Sequence, residues 1–375
     1  MKSRGTYLDY NATAPMRVEA TEAVRAAMEV CGNPSSVHGF GRAARRIMED
    51  AREAVAALVG ASPRDVVFTS GGAEANALAL APVSAGERLL VSATEHPSVL
   101  NGGRFPPEHV ETIPVDGEGL VDLDWLSARL ERSPSVGLVS VMAVNSETGV
   151  IQPIARVAEL AHAAGARMHA DCVQAAGRTP LDIAALGVDL LTLSAHKLGG
   201  PPGVGALVKA NGARVTPLIR GGGQERSQRA GTENVIGIAG FGAAVGALED
   251  IERLSRLRDW LEGELGTISG QTRFFGAGAP RVANTTCFAV PGIAAEKAVI
   301  ALDLEGVAVS SGSACSSGKV GPSHVLAAMG VPSHLADGAI RVSLGWASSE
   351  EDVTRFLAVW RRVSAALGRG RDRAA

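Results

Sequence analysis

Aromatic side chains are scarce in this chain of 375 residues. They make up 4% of it, with Tyr present twice and Trp four times. So thin a set argues against an aromatic-rich binding module and for a core packed from small aliphatic residues. Charge of one sign is missing as well: 36 Lys and Arg face 39 Asp and Glu, for a net charge of -3. No general attraction to nucleic acid is expected. The late arginines, Arg361, Arg362, Arg369, Arg371 and Arg373, read as a solvated helix end and a frayed tail rather than a basic patch. Cysteine occurs four times, as Cys31, Cys172, Cys287 and Cys315, and never in a CxxC pair. That spacing argues against a zinc site or a thioredoxin-like motif. Long apolar runs are absent too. Residues 136–144 are among the longest and fall far short of a bilayer span, and residues 1–11 lack the apolar stretch of a secretory signal. The expectation is a cytoplasmic protein with free thiols and no membrane contact. Neither GxGxxG nor GxxxxGK[ST] follows a strand pattern, so the glycine-rich stretches give little support to nucleotide binding.

What is present is 46% hydrophobic, rich in Gly and Ala, and long enough for one large or two medium domains. Residues 39–59 place Ala43, Ile47, Ala51, Ala54, Val55 and Leu58 three to four apart, which predicts one apolar helix face. Strands are expected at 66–69, 88–93, 136–144, 167–171, 188–194 and 204–208, with helices from Ala73 and over 154–164. Strands alternating with helices imply an α/β fold, a mostly parallel sheet covered on both faces, with ligands at the carboxyl ends of its strands. After about residue 250 the texture changes to a charged helix over 251–265, strands at 285–290 and 340–344, a helix near 296–304 and a final helix. We therefore expect a large domain over 13–250. A smaller α+β domain is expected from 1–12 together with 251–375.

Two residues stand out chemically. Lys197 lies just past the strand ending at Ser194, beside His196 and ahead of a Gly- and Pro-rich turn. A lysine at such a strand end either decorates the surface or holds an aldehyde cofactor through its amine. Asp171 ends a strand among Met168 and Ala170, and a buried carboxylate needs a charged or strongly donating partner. A protonated pyridine nitrogen is one such partner; a turn N–H is another. The turn Ser70-Gly71-Gly72-Ala73-Glu74 stands between a strand and a helix, where backbone N–H groups and the helix N-terminus suit a phosphate. His96, after the next strand, suits ring stacking or proton transfer. Cys315 lies in Ser311-Gly312-Ser313-Ala314-Cys315-Ser316-Ser317-Gly318, a setting too small and polar for a core thiol. At an unshifted pKa near 8.5 only about 3% of such a thiol is thiolate at neutral pH, so a local base or charge should help it react.

With these residues quoted, the chain resembles the cysteine desulfurases, pyridoxal-phosphate enzymes of the class V aminotransferase family with the fold type I architecture. The likeness runs from Tyr7-Leu8-Asp9-Tyr10-Asn11 to about Trp346. It includes Gly32-Asn33-Pro34-Ser35-Ser36, Thr94-Glu95-His96, His169-Ala170-Asp171, Ser194-Ala195-His196-Lys197 and Arg229-Ala230-Gly231-Thr232. The cysteine segment resembles the subgroup with a long mobile cysteine loop, which serves iron–sulfur cluster assembly and tRNA thiolation. The resemblance implies a seven-stranded type of large sheet and pyridoxal 5'-phosphate carried on Lys197. It implies that Asp171 meets the ring nitrogen, Gln174 the ring oxygen and His96 the ring face, with His96 also assisting proton transfer. Ser194, His196 and the Gly72–Ala73 turn are implied for the phosphate, Thr232 for the phosphate of a neighbouring subunit in a homodimer, Arg341 for the substrate carboxylate and Asn33 for a place near the substrate. L-cysteine would give up its sulfur to Cys315 as a persulfide, leaving L-alanine, and an acceptor protein would collect that sulfur.

Three departures from the family pattern bear on this. Ala73 removes a hydroxyl from the phosphate turn, and Ser146 stands where the family often has an asparagine that contacts cofactor and substrate. The C-terminal extension that docks a cluster scaffold is not expected in residues 368–375. Two rivals share the same residues. Another class V enzyme, an aminotransferase or a selenocysteine lyase, would need no thiol at 315. A sulfur-relay scaffold without turnover would need neither Lys197 nor Asp171.

Overall fold

The computed structural model describes residues 5–132, 135–210, 212–247, 250–312 and 322–372. Its strands, in chain order, are Thr6–Tyr7 (β1), Val66–Thr69 (β2), Arg88–Ser92 (β3), Val110–Ile113 (β4), Val136–Ser140 (β5), Arg167–Asp171 (β6) and Leu190–Ser194 (β7). They continue with Gly205–Lys209 (β8), Arg273–Phe274 (β9), Thr285–Ala289 (β10), Val307–Ala308 (β11), Ser310–Ser311 (β12) and Ile340–Ser343 (β13).

Among the described residues β2 to β8 form one sheet of 7 strands in the order β2-β8-β7-β6-β5-β3-β4. Pairing is parallel from β4 through β7, and β8 runs antiparallel to both its neighbours. The inner strands read as continuous apolar runs because helices cover both faces; Leu190, Leu191 and Leu193 are wholly buried. The Gly39–Leu58 helix buries Ala44, Met48, Ala51 and Val55, at spacings of three and four; of the expected face, Ala43 is exposed and Ile47, Ala54 and Leu58 are half-buried. The His38 ring caps it by accepting from Gly41 N–H at 3.2 Å.

Two further details differ from the sequence reading. The apolar run 136–144 leaves the ladder after Ser140, and Met142 and Val144 go on to line a cavity; hydrophobicity alone does not mark where such a strand stops. The edge strand β4 was not anticipated, because only Ile113 of its four residues is buried. Its Glu111 is clasped by Arg88 at 2.6 Å, a charged edge of the kind that discourages sheet extension.

The second sheet runs β12-β13-β10-β9, all antiparallel, and β1 pairs in parallel with β11. The Ile251–Ile268 helix turns Leu254, Leu257, Leu261 and Leu265 onto a core shared with Phe288, Val342, Phe356 and Trp360. Leu8, from the start of the chain, joins this core rather than the core under the larger sheet. The N-terminal segment then crosses toward the larger sheet: Ala14 N–H donates to the His196 carbonyl at 2.8 Å and Arg17 N–H to the Gly199 carbonyl at 2.8 Å.

Candidate active site

The parallel strands end on one side of the larger sheet, and a cavity of about 460 Å³ opens there. Asp171 closes β6 and Ser194 closes β7; His96 follows β3, and the turn Ser70-Gly71-Gly72 follows β2. The antiparallel β8 is what brings that turn so close. A Cβ at Gly205 would stand 2.6 Å from the carbonyl carbon of Gly71, so only glycine fits there. Gly72 likewise lies against β7 and the residues after β6; its Cβ would meet Val173 at 3.1 Å and Ser194 at 3.5 Å.

The cavity gathers ten residues singled out in the sequence. Lys197, His96, Asp171, Gln174, Ser194 and His196 line it from the larger sheet, with Gly72 and Ala73 at the turn. Ser146 and Arg341 line it as well. Two others lie elsewhere. Thr232 lines a smaller neighbouring cavity of about 100 Å³ that shares Ser70 and Gly203 with the first. Asn33 sits in the loop before the Gly39–Leu58 helix, where its side chain accepts from Ser35 N–H at 2.9 Å. Cys315 lies outside the described residues.

Lys197 Nζ donates to the carbonyls of Asn11 at 2.6 Å and Ala12 at 2.7 Å, which aims the amine from the sheet toward the N-terminal segment. Asp171 is buried. Its Oδ1 accepts from Val173 N–H at 3.0 Å and its Oδ2 from the Asn76 amide at 2.8 Å. The turn-capping reading of this aspartate is met by its Oδ1, and the group also lines the cavity. Gln174 donates from Nε2 to the Asn11 carbonyl at 2.9 Å, and Arg178 donates to its Oε1. Burial, aided by the nearby Lys197, pushes the His196 pKa down to about 4, so its imidazole is neutral at pH 7 and offers dipoles rather than charge to an anion. The ring of His96 is open to the cavity, yet the walls strip it of bulk water and lower its pKa; Asp171 opposes this and Lys197 adds to it.

Arg341 reaches the cavity from β13. Its Nη2 donates to Asp9 at 2.7 Å and its Nη1 to the Ser146 carbonyl at 3.2 Å, while the buried Nε has no partner among the described residues. Beside it, Glu147 is buried and accepts from the Ser323 hydroxyl at 2.5 Å; burial raises its pKa to about 7 against the opposing pull of that hydroxyl and Arg341.

Sequence reasoning passed over Asn11, Asn76 and Ser98. Asn11 stands in a quoted motif, yet its role depends on partners far along the chain. Its N–H donates to Ser343 Oγ, and its amide to the Ser146 carbonyl and Thr285 Oγ1. Asn76 follows Gly72 by four positions in the Gly72–Ala79 helix, which sets both on one face of that helix. That spacing was the available signal.

This arrangement combines an amine, a buried carboxylate, a glycine turn at a helix start and a buried guanidinium around one cavity. It suits a cofactor with an aldehyde, a basic ring nitrogen and a phosphate, and a substrate with a carboxylate. Comparisons with known proteins identify the family. The aminotransferase class-V family model matches residues 6–356. A protein named cysteine desulfurase IscS from Dictyoglomus turgidum is 42% identical over 374 residues, covering 96% of this chain and 94% of that protein. A cysteine desulfurase of Cereibacter sphaeroides is 44% identical over 367 residues, covering 94% of each. Among solved structures, a NifS-like protein from Rickettsia africae matches with a TM-score of 0.89 at 35% identity, over 96% of this chain and 99% of that one.

Proposed function

The chain belongs to the aminotransferase class-V family, and on that basis we propose that it is a cysteine desulfurase that uses pyridoxal 5'-phosphate to take sulfur from L-cysteine and release L-alanine. The observation that carries this reading is the convergence of Lys197 and Asp171 on one cavity beside the Gly71–Gly72 turn. The residues fit that cofactor. Asp171 accepts from two neutral donors, so a cationic ring N–H adds the charged partner that a buried carboxylate calls for. Lys197 would carry the cofactor through its amine, and Gln174 would meet its ring oxygen. Ser194, neutral His196 and the first-turn N–H groups of Gly72 and Ala73 would hold its phosphate. With alanine at 73, that grip depends more on backbone than on side-chain donors. When bound, pyridoxal phosphate supplies an electron-withdrawing ring that stabilises negative charge on the substrate carbons.

Arg341 would hold the substrate carboxylate through its planar fork. Ser146 already lends its carbonyl to Asn11 and Arg341, and its short side chain leaves room beside them. The Cys315 thiolate would attack the substrate sulfur. An S–S bond forms as the C–S bond breaks, the electron pair stays on carbon, and a proton taken up there completes alanine. The persulfide then passes to the thiolate of an acceptor, for cluster assembly or tRNA thiolation. We assign Thr232, and with it Asn33, to contacts made across a homodimer. The exposure of Val37 and Phe40, just beyond Asn33, supports such a pairing. Free thiols at Cys31, Cys172 and Cys287 support a reducing compartment such as the cytoplasm. No helix among the described residues is long and apolar enough to cross a membrane.

The test is one assay with L-cysteine and a reducing thiol that counts alanine and sulfide together. Wild type should yield both in equal amounts, and Lys197→Ala and Cys315→Ala should yield neither. Alanine output unchanged in Cys315→Ala would overturn the persulfide step. Borohydride treatment that leaves Lys197 without a pyridoxyl group would overturn its role as anchor.

A further inference from the structure

His96 sits within a hydrogen-bond chain that runs back to Asp171, and the donors along it can be counted. The carboxylate of Asp171 can only accept, so it fixes which end of the Asn76 amide faces it: Nδ2 donates to Asp171 Oδ2 at 2.8 Å. The second hydrogen on the same Nδ2 goes to Ser98 Oγ at 2.9 Å, while Asn76 Oδ1 is left without a partner among the described residues. Ser98 Oγ thus already accepts. Its own hydrogen is available for the remaining contact, His96 Nδ1, at 2.8 Å. The backbone N–H of Ser98 donates to the same ring nitrogen at 3.1 Å, as the cap of the short turn that begins at Pro97. Two donors therefore converge on Nδ1, and a proton there would face both of them.

We infer that Asn76 and Ser98 are positioning residues that fix His96 as the tautomer with its proton on Nε2, so that this histidine offers a hydrogen bond from Nε2 and cannot act there as a base. Nε2 is then the ring's N–H, and Nδ1 is held as an acceptor by the chain behind it. The titratable groups that act on the ring are Asp171, Lys197 and His324; the last spends its Nε2 on the Glu95 carbonyl at 2.9 Å. The loss of water around the ring acts in the same direction, because it disfavours the doubly protonated form. With His96 unable to accept at Nε2, the removal of a proton from substrate falls to the Lys197 amine. This assignment of roles rests on the proposed function, whereas the tautomer itself does not.

The test is a two-bond ¹⁵N–¹H correlation spectrum of the full chain labelled at histidine, near pH 7, with the His96→Gln variant identifying the His96 signals. The expected pattern is a bare Nδ1 and a protonated Nε2. A protonated Nδ1, alone or together with Nε2, overturns the inference. A second measurement titrates the ring in Ser98→Ala and Ser98→Thr. Loss of the hydroxyl should raise the His96 pKa by about 0.5–1 unit, since a donor worth roughly 1 kcal/mol to the neutral ring is gone, and threonine should restore it. No rise in the alanine variant removes Ser98 Oγ–H, and with it Asn76, from the device. Neither measurement needs turnover, so a correct tautomer in a protein that leaves L-cysteine untouched would sink the proposed function and spare this inference.

Discussion

Among the described residues Arg52 and Arg341 are the two most deeply buried arginines, and the fold treats them in opposite ways. Arg52 is satisfied on every side: it makes a two-point contact with Glu225 at 2.7 and 2.8 Å, a bond to the Val66 carbonyl at 2.9 Å and a longer one to Glu49, and it lies over the Phe68 ring. Glu225 in turn accepts from Phe68 N–H at 2.9 Å, so the pair ties the Gly39–Leu58 helix, β2 and the 223–232 segment together. Arg341 has one carboxylate contact, one long bond to a carbonyl and an unpartnered Nε. Burial that leaves a guanidinium short of acceptors is unfavourable, and a substrate carboxylate would supply them. The difference teaches how to separate a buried charge that holds the fold from one that serves the site. The first has its full set of partners within the chain.

That contrast can be broken by experiment. Arg52→Met leaves Glu225 buried and unpaired, so unfolding in urea should show a loss of about 3–5 kcal/mol, with turnover per folded molecule little changed. Arg341→Met should do the reverse: kcat/KM for L-cysteine falls roughly 10²-fold or more, about 3 kcal/mol, while the unfolding midpoint barely moves. Equal losses of stability in both would erase the distinction. Glu147 sharpens it, because a buried carboxyl beside Arg341 that is neutral below about pH 7 does not compete there for the guanidinium. Its pKa rises from 4.5 unfolded to about 7 folded, so the folded state holds the proton more tightly. The stability this group provides is complete below pH 4.5 and is lost as pH climbs to about 7. Glu147→Gln should therefore gain on wild type between pH 5 and pH 8, by at most about 3 kcal/mol, in unfolding curves recorded across that range. The smallest effect is expected from Asp9→Asn, which keeps the shape and removes the charge that orients Arg341. A rise in KM of about 3- to 10-fold with kcat preserved would place Asp9 behind the arginine rather than on the substrate.

Much of this was legible in the residues. Asp171 and Lys197 could be read because each follows an apolar strand run, and strand ends are where an α/β sheet keeps its sites. The Ser70-Gly71-Gly72 turn was readable for a related reason: glycines between a strand and a helix mark a close backbone approach, and Gly205 is the residue approached. Of Asn76 and Ser98, only the first left a trace, in its four-residue spacing from Gly72. Their roles arise only when the ends of β3 and β6 lie beside the Gly72–Ala79 helix, and no spacing in the chain encodes that meeting. Asn33 and Thr232 were legible as motifs and yet stand apart from the cavity of a single chain. The end of β5 was lost for a simpler reason, since core and cavity lining are written with the same apolar residues.

The contacts of Asn11 carry one more consequence. Its N–H bonds a hydroxyl 332 positions later, while its carbonyl receives the lysine and the glutamine of the larger sheet. During synthesis the earliest part of this pocket must therefore wait for nearly the last, because the ribosome releases residue 11 long before Ser343 exists. Until then the amine of Lys197 has a sheet behind it and no finished wall before it. Assembly of the pocket thus waits for Ser343, slowed by its distant contacts and open to interference from anything that grips the segment around Asn11 meanwhile.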